Sequence, residues 1–431
     1  MNLLVITNAG LFPSVGRPGA GLFFANMLRR LVPHVGRIVA VTPVAYIPGP
    51  LLALGRFRQQ SLIAAHESWN GIEVIRPPYL SLSADQHLWF QARWYLRAAA
   101  PLCEVLHRRH RFDLVVGYGF GPPAHAAQYV ARQTGLRCVS WAIGTDVHTS
   151  PGQSAENASL FRHNVRHTDL ILTESAALRG DILRSCPQAR HVHTYYKGID
   201  LEGLGGTVDR AAVRAQLGLA PGRTYLLMAG RVWLPKGAYE FYEAFQRLAA
   251  ARPTLDAVWV GDGLDARNLR QMAQRDGLTD RFKITGNVPR ERVLEYMRAA
   301  DLLVFPSHAE GLPNVVMEGM AAGLPAISTD VGGVGEIIVP GVTGLLIPPK
   351  DAGAIVAAVE HVLGSPDRGA AMAARGRRFI WDYFNVDRNA PIALNILRHI
   401  AGGGAPEDPV ASAAGVAPGR LPRDLLADNV P

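Results

Sequence analysis

Residues Leu302–Ala321 read LLVFPSHAEGLPNVVMEGMA, and this stretch decides the fold class. Leu302–Pro306 is a short apolar run closed by a turn residue, the pattern of a buried strand. In the turn that follows, Gly311 permits a tight bend. Pro313 stands where a helix begins, so its missing N–H does no harm. The chain then runs on as a helix over Val315–Ala321. Strand, turn and helix in that order form the repeating unit of a parallel sheet covered by helices.

The same unit recurs outward in both directions. In the second half, strands are expected at Tyr225–Gly230, Ala257–Gly261, Phe282–Gly286, Leu302–Pro306, Ala326–Thr329 and Gly344–Ile347. In the first half they are expected at Leu3–Asn8, Arg37–Pro43, Gly71–Pro77, Asp113–Gly119, Arg137–Gly144 and Leu170–Glu174. Helical stretches such as Gly21–Val32, Asp85–Arg109 and Pro123–Thr134 lie between them. A chain of 431 residues is also too long for one ordinary core. The fold class is therefore α/β, with two Rossmann-like, doubly wound domains facing across a cleft at their strand ends. The expected division is 1–198, 199–385, a helix over 386–401 packing back on the first domain, and a disordered tail over 402–431 rich in Gly, Ala and Pro. Asp200–Arg223 reads as a low-order stretch, and Val44–His66 as an apolar insertion flanked by Arg56 and Arg58. That insertion suits a membrane-touching or acceptor-gating loop, or ordinary packing.

Composition narrows the function classes. Residues 1–200 carry 20 Lys+Arg against 11 Asp+Glu, whereas residues 201–431 carry 24 against 25. A basic half beside a neutral one implies a domain that meets anionic matter, such as an anionic membrane surface. A nucleic-acid partner is not expected, since no recognition module is visible and aromatic residues do not interleave with the basic ones. Cys103, Cys138 and Cys186 form neither a disulfide framework nor a metal pattern and read as buried thiols in a reducing cytoplasm. Neither a run of eighteen apolar residues nor a signal-peptide pattern is seen, so a cytoplasmic protein is expected.

Chemistry concentrates in the second half. A strand ending at Gly230 leaves room for close approach to the backbone, and Arg231 and Lys236 supply cations at the sheet edge where open α/β folds bind ligands. Two phosphates call for such charge, Arg as a fork and Lys as a point. The amides of Leu312–Val315 at the start of a helix form an anion site favoured by the helix dipole. Glu310 lies outside that helix and Glu318 about one turn inside it. One carboxylate on each side of an anion site suits a ligand with phosphates in the middle and hydroxyl-bearing rings at both ends. Taken singly, each acid reads as an ordinary loop or first-turn residue. With Gly311, Pro313, Gly319 and Gly323 in the same segment, the ligand reading prevails.

In the order Glu310, Gly311, Pro313, Glu318, the segment resembles the E-G-x-P-x-x-x-x-E signature of the retaining glycosyltransferases of family 4, which have the GT-B fold. The resemblance extends through Gly230-Arg231, Lys236-Gly237, Val260–Gly263, Ile284–Val288, Ala300-Asp301, Asp330–Gly333 with Glu336, and Gly341–Gly344. Lys197-Gly198-Ile199-Asp200 looks like the family's N-G-V-D turn, and coverage is roughly residues 1–400. The resemblance implies that Arg231 and Lys236 neutralise a nucleotide-sugar diphosphate and that Glu318 binds the ribose. Glu310 would contact the transferred sugar, and Gly311, Leu312, Pro313 and Asn314 would line sugar and phosphate. Gly286, Asn287 and Val288 would lie against the base. It also implies retention without a protein nucleophile, no cofactor and no metal.

In the first half, Phe12-Pro13-Ser14 with Gly19-Ala20-Gly21 matches the family's glycine-rich loop, Gly21 admitting the donor phosphates. Ile143-Gly144-Thr145-Asp146 resembles its H-G-x-D motif, with Ile143 in place of His and Tyr118 where relatives often carry His. Asp146 is the expected sugar or acceptor contact, and His148 an ordinary neighbour. The expected reaction passes a sugar from a UDP- or GDP-sugar to a glycan or lipid-linked acceptor, in bacterial polysaccharide or teichuronic-type synthesis on the inner membrane face. A nucleotide-sugar epimerase of the same fold and a non-catalytic sugar-nucleotide binder are the alternatives. A dinucleotide dehydrogenase fits worst, because strand two ends Val41-Thr42-Pro43 without the ribose-binding acid.

Overall fold

The computed structural model describes residues 1–14, 19, 21–47, 63–81, 87–206 and 208–406. It divides into two compact units: Met1–Asp200 with the segment that begins at Val386, and Leu201–Asn385. The insertion expected over Val44–His66 falls mostly outside the described residues, as do Ala20 and the tail beyond residue 406.

In the first unit an eight-stranded sheet runs, in spatial order, Val192–Thr194, Leu170–Thr173, Arg137–Ala142, Leu114–Tyr118, Asn2–Thr7, Arg37–Val41, Ile72–Ile75 and His66–Trp69. Side chains alternate across it, as the pleat requires. Leu3 and Val5 pack with the helices Leu22–Leu31 and Val386–Ala401 on one face. Leu4 and Ile6 pack with Leu88–His110 and Pro122–Thr134 on the other. Burial on both faces is why these strands read as unbroken apolar runs.

The edge strand His66–Trp69 departs from the expected parallel pattern and pairs antiparallel with Ile72–Ile75. Its polar residues hid it, but a signal was present. Asn70 and Gly71, with φ of 48° and 81°, form the two-residue turn that Asn-Gly favours. Val192–Thr194 was also missed, being three residues long. Of the aromatic residues Trp89, Phe90, Trp94 and Tyr95 in Leu88–His110, Tyr95 alone is a core residue.

The helix Val386–Ala401 belongs to the first unit. The Tyr195 hydroxyl donates to the Asn389 carbonyl at 2.8 Å, and Arg30 meets Asp387 at 2.8 Å. Asp200 closes the Lys197–Asp200 turn against Arg29 and Arg30, at 3.2 and 2.9 Å. All three cysteines are buried and unbonded. Burial pushes the Cys138 thiol up to about 12, so it is inert.

In the second unit six parallel strands run Phe282–Ile284, Leu255–Val260, Thr224–Ala229, Leu302–Phe305, Ala326–Thr329 and Leu345–Ile347. Within the stretch expected to be low-order, Arg210–Gln216 is a helix. The Asp209 carboxylate caps it by accepting the N–H groups of Ala211 and Ala212, and good helix formers follow.

Candidate functional site

Three loops at the C-terminal ends of the second sheet, with the helix that follows one of them, carry the donor residues predicted in this unit. The central strand Thr224–Ala229 ends at Gly230, whose φ of 133° favours glycine. The chain continues through Arg231 to a short turn over Leu234–Lys236 and the helix Ala238–Ala251. A Cβ at Gly237 would lie 2.1 Å from the Pro306 carbonyl, so only glycine lets this helix start against the next strand. The His308 N–H donates to the Pro235 carbonyl at 2.9 Å, and the Ser307 hydroxyl to the same oxygen at 3.2 Å. The loops bearing Lys236 and Glu310 are therefore joined through their backbones.

Joined this way, Lys236 and Glu310 meet in an ion pair, with side chains 29% and 12% exposed. Arg231 is exposed, its guanidinium 5.6 Å from the Trp233 ring, and has no carboxylate partner among the described residues. Pro313 caps the helix Asn314–Ala321. Gly311, Leu312 and Pro313 are buried, and Gly311 accepts the Gly333 N–H at 3.0 Å, which ties in the Asp330–Gly333 loop. Among the described residues, no acceptor takes the backbone N–H of Leu312, Asn314 or Val315. Three unengaged donors at the positive end of a helix form an arrangement that can receive an anion.

Glu318 is buried within this helix and paired with Arg290, the first residue of the helix Arg290–Ala299. Arg290 was missed because its partner lies in another helix; the signal available was a cation immediately after the Gly286–Val288 loop. Gly286 takes φ of 76° and bridges to Gly261, Asn287 is exposed and Val288 half-buried. His308 was missed as well; it meets Glu240 at 2.9 Å. Two glycines have another cause than a ligand. A Cβ at Gly319 would come 2.6 Å from Leu303, so this glycine seats the helix on its strand, and Gly323 (φ 87°) ends the helix.

The first-unit residues hold structure together. Both Asp146 oxygens accept backbone N–H groups: Phe120 at 2.6 Å, Ile143 at 3.1 Å and Gly144 at 2.8 Å. Burial pushes its carboxyl above the usual range, against the pull of those three donors. The group expected to touch a sugar here braces two loops. His148 pairs with Asp181. Gly21 has φ of 57°, and a Cβ there would meet the Leu11 carbonyl at 2.0 Å. The chain's own close approach therefore accounts for this glycine without a ligand.

Tyr118 stacks on Phe24, centroids 3.7 Å apart, and donates to Glu174 at 3.0 Å. Glu174 in turn meets Lys197 at 2.6 Å, both side chains almost wholly buried. No local sequence signal joins these three residues, because they come from the ends of separate strands and a distant turn.

Comparison with known proteins bears on this geometry. Residues 209–379, which include the whole donor edge, match the family described as glycosyl transferases group 1. TuaC of Bacillus subtilis, assigned to teichuronic acid biosynthesis as a glycosyltransferase, is 30% identical over 362 residues, 83% of this chain and 88% of its own. Among solved structures, sucrose-phosphate synthase of Thermosynechococcus elongatus superposes with a TM-score of 0.77 at 20% identity, covering 94% of this chain and all of its own. Anabaena HepE, solved with UDP and glucose, superposes with a TM-score of 0.70 at 20% identity, covering 92% of this chain and 99% of its own.

Proposed function

The chain belongs to the group 1 glycosyl transferases, is built on the GT-B fold and transfers sugar from a nucleotide-sugar; from that premise we propose a retaining, metal-independent mechanism and a role in cell-surface polysaccharide synthesis. The observation that carries the mechanism is the pairing of Lys236 with Glu310 beside the unengaged amides of Leu312, Asn314 and Val315.

In this reading Arg231, Lys236 and the three amides stabilise charge as it develops on the leaving diphosphate, the interaction that lowers such barriers most. A diphosphate beside Lys236 competes with Glu310 for the ammonium and releases its carboxylate to the hydroxyls of the transferred sugar. Glu318 accepts the ribose hydroxyls, and Gly286–Val288 lie along the base. The bond from the sugar's anomeric carbon to the diphosphate oxygen breaks, and a bond to the acceptor hydroxyl forms on the same face. The acceptor's proton passes to the departing diphosphate. Cations of the chain itself supply the positive charge, which supports metal independence. The UDP bound by HepE supports a UDP-sugar as donor, with GDP-sugars the other class.

The acceptor is a glycan or a lipid-linked glycan, a reading supported by the similarity to TuaC. The excess of 20 basic over 11 acidic residues in positions 1–200 supports a peripheral place on an anionic, cytoplasmic membrane face. No helix among the described residues is long and apolar enough to cross a membrane.

A melting-temperature screen across UDP-, GDP- and ADP-sugars tests the donor, since ligand bound to the native state stabilises it. Turnover is expected to survive EDTA; loss in EDTA with recovery on adding magnesium would overturn metal independence. An inverted anomeric centre in the product would overturn retention. Equal sedimentation with neutral and anionic vesicles would overturn the membrane role.

A further inference from the structure

Each acid of the donor edge is held by a cation, and the two pairs are built differently. Lys236 ends a short turn and Glu310 lies on a loop, whereas Arg290 and Glu318 stand on two helices. The Arg290 guanidinium donates from Nη1 to Glu318 Oε1, the two side chains being 21% and 7% exposed. Arg290 opens its helix directly behind Pro289, whose φ of −58° and ψ of 155° carry the chain out of the Gly286–Val288 loop in extended form. One side chain thus ties the loop assigned to the base to the acid assigned to the ribose.

We infer that Arg290 is a positioning residue that sets the preference for a ribonucleotide over a deoxyribonucleotide, by holding Glu318 as a carboxylate in register with the ribose hydroxyls; the inference rests on the assignment of Glu318 to the ribose. A carboxylate this buried is costly without a cation, since neither water nor a partner would meet its charge. A diphosphate can draw Lys236 away from Glu310, but a ribose is neutral and offers no anion to replace Glu318 at the guanidinium. The Arg290–Glu318 pair therefore persists with nucleotide bound. A carboxylate has about four acceptor positions, and one guanidinium fork fills two of them. Hydroxyl donors then meet an acceptor whose charge and direction are already fixed, and a nucleotide that lacks one of those hydroxyls loses a charge-assisted hydrogen bond. Direct contact of Arg290 with phosphate or base would instead strengthen ribonucleotide and deoxyribonucleotide alike, and a purely structural brace would change stability alone.

The test is isothermal titration of the full chain with UDP and GDP, each beside its 2′-deoxy and 3′-deoxy forms, with melting temperature followed in parallel. For the base that binds, wild type is expected to prefer the ribonucleotide about 10–100-fold over the weaker deoxy form, the worth of one hydrogen bond to a charged group. Arg290→Met is expected to cut that preference below about threefold, and Glu318→Gln to do the same. Arg290→Lys keeps the charge but not the fork and is expected to fall between. In the Glu318→Gln background, adding Arg290→Met is expected to leave the preference unchanged, because the two residues act as one unit. A full preference in Arg290→Met overturns the inference, as does an equal loss of affinity for ribonucleotide and deoxyribonucleotide. Should Arg290→Met not fold, a full preference in Arg290→Lys overturns it instead. If neither UDP nor GDP binds, the transferase reading fails and the inference with it. If wild type shows no preference, or Glu318→Gln keeps it, the ribose assignment fails and the inference falls too. If Glu318→Gln loses the preference and the Arg290 variants keep it, the inference alone fails.

Discussion

Both units gather charged groups at the C-terminal ends of their strands, yet the two gatherings differ in exposure. In the first unit Lys197 and Glu174 are 4% and 5% exposed and bonded to each other and to Tyr118. In the second, Lys236 is 29% exposed beside Glu310, and Arg231 is open to solvent. A pair buried out of water is costly to break, because the group left behind has neither solvent nor partner. A pair with one partner partly open to solvent is weaker and can exchange its carboxylate for a ligand anion. The difference separates charges that fix a backbone from charges that are available for chemistry.

The largest expected effect comes from breaking the buried pair. Lys197→Ala leaves Glu174 unpaired and is expected to lower unfolding stability by about 3–5 kcal/mol in urea titration. A loss below about 1 kcal/mol would remove the distinction between the units. Lys236→Ala is expected to behave oppositely, with turnover falling about 10²–10³-fold and stability changing by less than about 1 kcal/mol. A variant that unfolds, or one that turns over normally, breaks the comparison from the other side.

A third expectation concerns pH. Burial first, then the charges of His163 and Arg132, holds the His125 imidazole down at about 4, among Trp89 and His163 at centroid distances of 5.0 and 5.2 Å. Its folded value lies below its unfolded one, so its contribution is complete above about pH 6.5 and is lost as pH falls toward 4. His125→Phe is therefore expected to flatten the stability profile between pH 7 and 4 by up to about 3 kcal/mol. An unchanged slope would show that this ring is not protected in the folded unit. The smallest effect belongs to Arg252–Glu360, a pair 2.5 Å apart with both side chains about a third exposed. Arg252 holds the Glu360 carboxyl below its usual range. The stability it adds is present above the unfolded carboxylate pKa and is lost as pH falls through the folded value. Glu360→Gln is expected to cost about 0.5 kcal/mol at pH 7 and progressively less as the pH falls through the folded value.

Sequence by itself determined two largely parallel α/β sheets, most of their strands and the candidate donor motif. Buried parallel strands are written as local apolar runs, and Glu310, Gly311 and Pro313 lie within a few residues of one another. Lys236 could be named as a donor cation because it follows a strand end closely. Only the tertiary structure decided what each of these groups is bonded to. Arg290 reaches Glu318 from another helix, Glu174 joins Tyr118 to Lys197, and Asp146 turns its oxygens to the backbone of two loops. Gly21 and Gly319 looked like openings for a ligand but admit the chain's own Leu11 and Leu303. The physical reason is range: periodicity and turn chemistry act over a few residues, whereas pairing and steric approach depend on which distant strand ends the sheet brings together.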